Sequence, residues 1–154
     1  MISRDRTPTN GGGGGDEDDE EGGLKANWRE LCATSGNAHA LVYVNPPFAA
    51  LTEWLEKIVC ESEEESLVTG AHSDVLQTVH ILVLLPMRTD TDYWQSLVLN
   101  RGAEVLFLNR RLNFYLDGKR EESSFRFPCA LVYYGPNPTA FRDWARTQGL
   151  GAVR

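Results

Sequence analysis

The chain has 154 residues, 42% of them hydrophobic, and a formal net charge of −7. This length is typical of one domain, and the hydrophobic content is sufficient for a core. No apolar run reaches the roughly 18 residues that a membrane span needs, and the polar first ten residues lack the apolar centre of a secretory signal. We therefore expect no membrane contact and an intracellular protein, cytoplasmic or nuclear.

Residues 1–23 differ in composition from the rest of the chain. They contain a glycine run at 11–15 and consecutive acids at 16–21. Such a segment buries too little apolar surface to offset the entropy that it loses on ordering, so we predict that it is disordered and that the domain covers residues 24–154. Without these acids the chain is nearly neutral, so charge neither indicates nor excludes a nucleic-acid partner.

Two strand–helix units follow. "ALVYVNPPF" (40–48) is a short apolar run ended by Asn and Pro, which predicts a buried strand, and the residues after it have helical apolar spacing. "TVHILVLLP" (78–86) is a second such run, and a helix is predicted within "RTDTDYWQSLVLN" (88–100). Continuous apolar runs of this kind are typical of parallel sheets with both faces covered.

The last third of the chain predicts two strands and a short helix. "AEVLFLNRRLNFY" (103–115) and "FPCALVYYG" (127–135) are joined by a polar turn, which indicates an antiparallel hairpin. A final helix is predicted within residues 137–149. The sequence therefore predicts an α/β fold with a mostly parallel sheet and a C-terminal antiparallel hairpin.

Polar residues follow both predicted parallel strands. Asn45-Pro46-Pro47-Phe48 ends the first strand, and Arg88-Thr89-Asp90-Thr91 follows the second. Because such sheets bind ligands beyond the carboxyl ends of their strands, we expect one cleft there. The histidines and cysteines lack metal-ligand spacing, so we predict no metal site.

The Asn-Pro-Pro-Phe turn has the groups that methylation of an aromatic amine needs. The lone pair of such an amine is delocalised into its ring, and two hydrogen-bond acceptors favour a pyramidal, more nucleophilic nitrogen. The Asn45 side chain and the Pro46 carbonyl offer two acceptors. The prolines fix the backbone and add no competing N–H, while Phe48 offers a face on which a base can stack.

Each of these features also has a purely structural explanation. Asn-Pro-Pro often ends a strand simply because these residues stop regular structure. Thr89 or Asp90 can cap the next helix, whereas Arg88 can contact a phosphate. Arg110 and Arg111 can face a nucleic-acid backbone, but one of two neighbouring strand residues normally faces solvent.

Three later segments extend the pattern: "LLPMRTDTDYW" (84–94), "RRLNFY" (110–115) and "FPCALVYY" (127–134). Together with the Asn-Pro-Pro-Phe turn, in this order and at this spacing, they resemble the phage-type Dam family of DNA N6-adenine methyltransferases. "GGLKANW" (22–28) is similar to the segment that precedes the family's catalytic strand. The resemblance covers about residues 28–135.

The resemblance implies the Rossmann-like fold of the methyltransferases that use S-adenosylmethionine (SAM). It also implies that SAM is the cofactor, that DNA is the partner and that the adenine amino group is methylated. By position, the catalytic turn comprises Asn45, Pro46, Pro47 and Phe48. The substrate-binding residues are Arg88, Thr89, Asp90, Thr91, Arg110 and Arg111.

One part of the family's pattern has no counterpart here. Its SAM-binding half includes a strand that ends in an Asp-Pro-x-Ala-like segment, so no cofactor-binding residue is assigned, and we expect an incomplete fold with an exposed parallel edge. The chain is then a fragment of an enzyme, an inactive relative that binds nucleic acid, or a subunit completed by a second copy or a partner chain. A separate alternative is methylation of another planar amine, in RNA or in protein.

Overall fold

The structure is a computed structural model, and it describes residues 22–33, 39–63, 67–70, 73–76, 78–113, 115–116, 118–120 and 127–154. Most of the segment that we predict to be disordered, residues 1–21, lies outside the described residues. Residues 22–25 form a helical turn, and the carbonyl of Gly23 accepts a hydrogen bond of 2.8 Å from Trp28 Nε1.

The described residues form both strands and helices, as in an α/β fold. In chain order the elements are α1 (Trp28–Ala33), β1 (His39–Val44), α2 (Leu51–Glu63), β2 (Leu67–Gly70), β3 (Ser73–Leu76), β4 (Thr78–Pro86), a π-helix (Trp94–Leu99), β5 (Glu104–Leu108), β6 (Tyr115–Leu116), β7 (Lys119–Arg120), β8 (Cys129–Tyr134), α3 (Pro138–Gln148) and β9 (Gly151–Val153). A 3-10 turn over Phe48–Ala50 leads into α2. None of the described helices is long and apolar enough to cross a membrane.

The main sheet has five strands in the order β1-β4-β8-β5-β9. β1 and β4 are parallel, and every other pair in this sheet is antiparallel, so the prediction of a mostly parallel sheet was wrong. β4 and β5 do run in the same direction, but β8 lies between them and pairs with both. The antiparallel pairing of β5 with β8 confirms the predicted hairpin.

The larger core lies on the face of the sheet that α2 and the π-helix cover. Successive side chains of a strand point to opposite faces of the sheet, so every second residue of β4 is buried on this face. These side chains pack against the apolar residues of α2 and the π-helix. The buried residues from the strands and helices of this core include Val79, Ile81, Val83, Leu85, Leu55, Ile58, Trp94 and Val98. The Tyr134 hydroxyl donates a hydrogen bond of 2.8 Å to the Leu97 carbonyl and ties the π-helix to the sheet.

The opposite face of the sheet is only partly covered. α3 packs Phe141 and Ala145 onto Leu106 and Tyr133. Its N-terminus is capped by the Asn137 side chain, which accepts from the Ala140 N–H, and its C-terminus ends at a left-handed glycine. The face over β1 and β4 has no such helix among the described residues.

The fold differs from the sequence prediction in three further respects. β5 ends at Leu108 rather than continuing to residue 115, so Arg110 and Arg111 lie beyond the strand. The polar turn predicted between residues 115 and 127 contains the strand Lys119–Arg120 of the hairpin β6–β7, and a further hairpin, β2–β3, precedes β4. β9 is an additional edge strand that pairs with β5.

Candidate functional site

The register of the sheet brings the predicted site segments to one end of it. Because β1, β4 and β5 run in the same direction, the turns that follow all three strands lie at this end, here called the sheet end. The last residue pair of β1 is Val44 with Val83, whereas β4 continues to Pro86. β4 therefore extends beyond the end of β1. At about 3.3 Å per residue, this difference in length is roughly 10 Å, and the Asn-Pro-Pro-Phe turn lies beside it.

The Asn-Pro-Pro-Phe turn presents polar and aromatic groups on a rigid backbone. Asn45 is exposed, and its side chain makes no hydrogen bond to any described residue. Pro46 is buried, and Pro47 has the extended backbone that precedes a helical turn. The Pro47 carbonyl accepts the Ala50 N–H at 3.2 Å, which begins the 3-10 turn and leaves Phe48 about half exposed.

The segment after β4 is a compact turn rather than an open loop. The Arg88 carbonyl accepts hydrogen bonds from both the backbone N–H and the hydroxyl of Thr91, at 3.0 and 2.6 Å. The Thr89 carbonyl accepts from the Gln95 side chain at 2.6 Å. Asp90 does not cap the following helix, because its carboxylate faces Arg88 Nε at 3.6 Å. Thr89 and Thr91 therefore order the turn that carries Arg88.

Arg88 stacks on an aromatic ring that lies at the start of β8. Its guanidinium carbon is 5.3 Å from the centroid of the Phe127 ring, within the range of a cation–π contact. The Met87 N–H donates to the Pro128 carbonyl at 2.8 Å and holds the two segments side by side. Both side chains of this stack remain partly exposed.

The third strand ending at this edge contributes two further cations. Arg110 and Arg111 are both exposed and follow β5 directly. Asn109 anchors their segment, since its backbone N–H donates to the Leu150 carbonyl at 2.8 Å and its side chain donates to the Gly149 carbonyl at 3.2 Å. The sheet end therefore carries Arg88, Arg110 and Arg111 in addition to the Asn-Pro-Pro-Phe turn.

Phe127 is the residue of this site that sequence reasoning did not single out. Its aromatic side chain immediately precedes a proline and a predicted buried strand, at the edge that the other site segments share. An exposed ring at a strand end is a recognisable signal, but its contact with Arg88 depends on β8 lying beside β4. The sequence predicted a parallel sheet and therefore did not indicate this contact.

A second concave surface lies on the partly covered face of the sheet. It is an apolar groove of about 340 Å³ whose lining includes Leu41, His80, Tyr133 and Trp144. The His80 Nδ1 atom is 2.7 Å from the Tyr133 hydroxyl, which also accepts the Asn137 N–H at 3.2 Å. Burial, and then the neighbouring His39 imidazole, lower the pKa of His80, so this ring stays neutral at pH 7.

The groove does not fit SAM. The groove is lined by apolar groups and carries no carboxylate for a ribose or an ammonium group, and it is several residues away from Asn45 along β1. The sheet end offers guanidinium groups and aromatic rings, which suit phosphates and bases. Among the described residues, no group of three or more metal-ligating side chains is present.

Comparison with known proteins identifies no family for the chain. No protein-family model, curated protein or solved structure matches it. The site is therefore defined by its own geometry, an Asn-Pro-Pro-Phe turn beside a basic and aromatic edge.

Proposed function

We propose that the chain acts as a DNA methyltransferase that modifies the amino group of adenine, as the phage-type Dam family does. One observation carries this proposal: the Asn-Pro-Pro-Phe turn lies at the same end of the sheet as Arg88, Arg110 and Arg111. In this proposal, the turn that receives the target base and the edge that binds phosphates lie at one end of the sheet.

Asn45 and Pro46 accept hydrogen bonds from the two amino hydrogens of the target adenine in this proposal. The Asn45 side chain makes no competing hydrogen bond to a described residue, so its carbonyl oxygen is available. The rigid prolines hold the second acceptor without adding a donor. Phe48 stacks on the extruded base, as in other enzymes that act on a base outside the helix.

Arg88, Arg110 and Arg111 contact the phosphates that flank the target base. Arginine suits this role because its planar guanidinium group donates several hydrogen bonds and stays charged. Thr89 and Thr91 hold the Arg88 turn through their backbone and hydroxyl contacts. Asp90, 75% exposed, orients Arg88 from the side.

The methyl donor in this proposal is SAM, bound outside the described residues. β1 is an edge strand of the five-strand sheet, and its exposed Leu41 and Tyr43 side chains would be covered by a further unit of the Rossmann-like fold. We propose that a second copy of the chain contributes the SAM-binding part beside this edge. An apolar edge strand that is left unpaired otherwise promotes aggregation with other chains.

A second candidate function is a nucleic-acid-binding module without catalysis. It is favoured by the poor fit of SAM to the apolar groove, and it uses the same basic and aromatic sheet end. The related proposal of methylation in RNA or protein uses the same turn with another planar amine.

Mass spectrometry of nucleosides from treated DNA tests the proposal against the binding module. The full chain is incubated with SAM and adenine-containing DNA, and the digest is searched for N6-methyladenine. Its formation by the wild-type chain and its loss in Asn45→Ala would support the proposal. DNA binding without any methylated adenine would favour the binding module.

A further inference from the structure

Two exposed aromatic rings at the sheet end indicate more than the contact with one target base. Phe48 is 47% exposed and Phe127 is 42% exposed. They come from different segments, since Phe48 follows β1 and Phe127 precedes β8, and the register brings both segments to the same end of the sheet. With strands about 4.8 Å apart, β1 and β8 are separated by roughly 10 Å, which allows the two rings to contact different bases.

The Arg88 guanidinium and the Phe127 ring already form a cation–π contact, here called the Phe127–Arg88 stack. The guanidinium carbon is 5.3 Å from the ring centroid, and the hydrogen bond from the Met87 N–H to the Pro128 carbonyl holds their segments together. Both side chains remain partly exposed. Nucleic-acid bases stack on both aromatic rings and guanidinium planes, so these exposed groups suit an unpaired base.

The charge around this stack favours a polyanion. Arg88, Arg110 and Arg111 lie at the sheet end, and Lys119 is exposed in the hairpin that follows. Asp90 is the acid paired with Arg88 there. Among these described residues the formal positive charges outnumber the negative ones. A local basic edge on an acidic chain attracts phosphates specifically to that edge.

The exposed rings and the cations together favour single-stranded over double-stranded DNA. Bases inside a duplex are covered on both faces by their neighbours, so they cannot stack on a protein ring unless they leave the helix. Aromatic rings interleaved with cations are typical of surfaces that bind single strands. We propose that the sheet end binds an unpaired strand of DNA, with bases on Phe48 and on the Phe127–Arg88 stack, and that the target adenine is taken from such a strand.

The second half of this proposal rests on the proposed methyltransferase function, but strand binding does not. Fluorescence anisotropy of a labelled 20-nucleotide strand, and of the same sequence as a duplex, therefore tests binding with the full chain and no SAM. We expect the strand to bind roughly tenfold more tightly than the duplex. Phe127→Leu should weaken strand binding by roughly tenfold, since stacking of one base is lost.

Two control variants make the test specific. Trp144→Leu removes an equally exposed aromatic ring, 41% exposed, from the groove face of α3, and should leave strand binding unchanged. Arg88→Lys keeps the charge and removes the planar group, so it should weaken strand binding, whereas a purely electrostatic contact would tolerate it. Phe48→Leu provides an independent measurement if Phe127→Leu does not fold.

The possible results separate this inference from the proposed function. Equal or tighter binding of the duplex, or unchanged strand binding in both phenylalanine variants, would overturn the inference even if adenine in duplex DNA were methylated. Preferential strand binding that depends on Phe127, without methyl transfer to either DNA, would support strand binding and overturn the methyltransferase proposal.

Discussion

The Arg88 guanidinium lies over the Phe127 ring at 5.3 Å, although the two residues belong to segments that are distant in the chain. The contact exists because β8 runs antiparallel between β4 and β5. It joins a cation from the segment after β4 to a ring from the segment before β8. The strand register places both residues at the end of the sheet that also carries the Asn-Pro-Pro-Phe turn.

Asn45→Ala should abolish most methyl transfer without unfolding the chain. The side chain is exposed and makes no hydrogen bond to a described residue, so its removal costs little stability. Loss of a directed hydrogen bond at the reacting group should lower the rate by roughly 100-fold or more. The measurement is transfer of labelled methyl groups from SAM to DNA. Unchanged transfer would remove Asn45 from the catalytic role.

Leu55→Ala should destabilise the fold by about 2–5 kcal/mol, because this fully buried α2 residue leaves a cavity in the larger core. Leu31→Ala is the matched control, since Leu31 of α1 is mostly exposed and its truncation should cost about 0.5 kcal/mol or less. Urea unfolding followed by circular dichroism gives both values. Equal effects of the two substitutions would contradict the assignment of the core.

The chain should lose stability on acidification through His80. Burial and His39 lower the folded pKa of this imidazole, so the unfolded chain binds the extra proton more readily. Its contribution is fully present above the unfolded pKa of about 6.5, and it is lost as the pH falls through the lower folded value.

Urea midpoints between pH 7.5 and pH 5 measure this effect. His80→Gln cannot titrate, so its stability should fall less over this range than that of the wild-type chain. His39→Gln, which removes only the secondary cause, should have a smaller effect on the pH dependence. Identical pH profiles for the wild type and His80→Gln would show that the ring does not contribute.

The open edge of β1 should make the chain associate at high concentration. Leu41 and Tyr43 are more than half exposed on the outermost strand, and the described part of this strand carries no charged side chain that would discourage pairing. Leu41→Lys combined with Tyr43→Lys should reduce association and leave the unfolding free energy nearly unchanged.

Light scattering after size-exclusion chromatography gives the mass across a concentration series. Arg146→Lys is a control substitution on the exposed part of α3 and should not change the association. A wild-type chain that stays monomeric at every concentration would argue against a second copy beside β1.

The sequence predicted both strands of the parallel pair, but the predicted burial of the first one was wrong. The apolar runs at 40–44 and 78–86 became β1 and β4, yet Leu41 and Tyr43 of β1 are more than half exposed because no described helix covers that face. In the next predicted helix Trp94 and Val98 are fully buried, whereas Tyr93 and Leu97 are partly buried. Its π-helical winding was not predicted, since apolar spacing does not distinguish it from an α-helix.

The order and direction of the strands could not be predicted in the same way. A continuous apolar run indicates that both faces of a strand are covered, but it does not indicate which strand lies beside it. β8 is therefore central although it comes late in the chain. The placement of Asn45 and Arg88 at one end followed from the parallel pair, whereas the contact of Arg88 with Phe127 required knowledge of the β4–β8 pairing.

Nucleoside mass spectrometry of DNA treated with the full chain and SAM measures the proposed methyl transfer to adenine. We expect N6-methyladenine in DNA treated with the wild-type chain and its near absence with Asn45→Ala. A DNA substrate that contains adenine in every flanking context, yet yields no N6-methyladenine above the enzyme-free control, would contradict it.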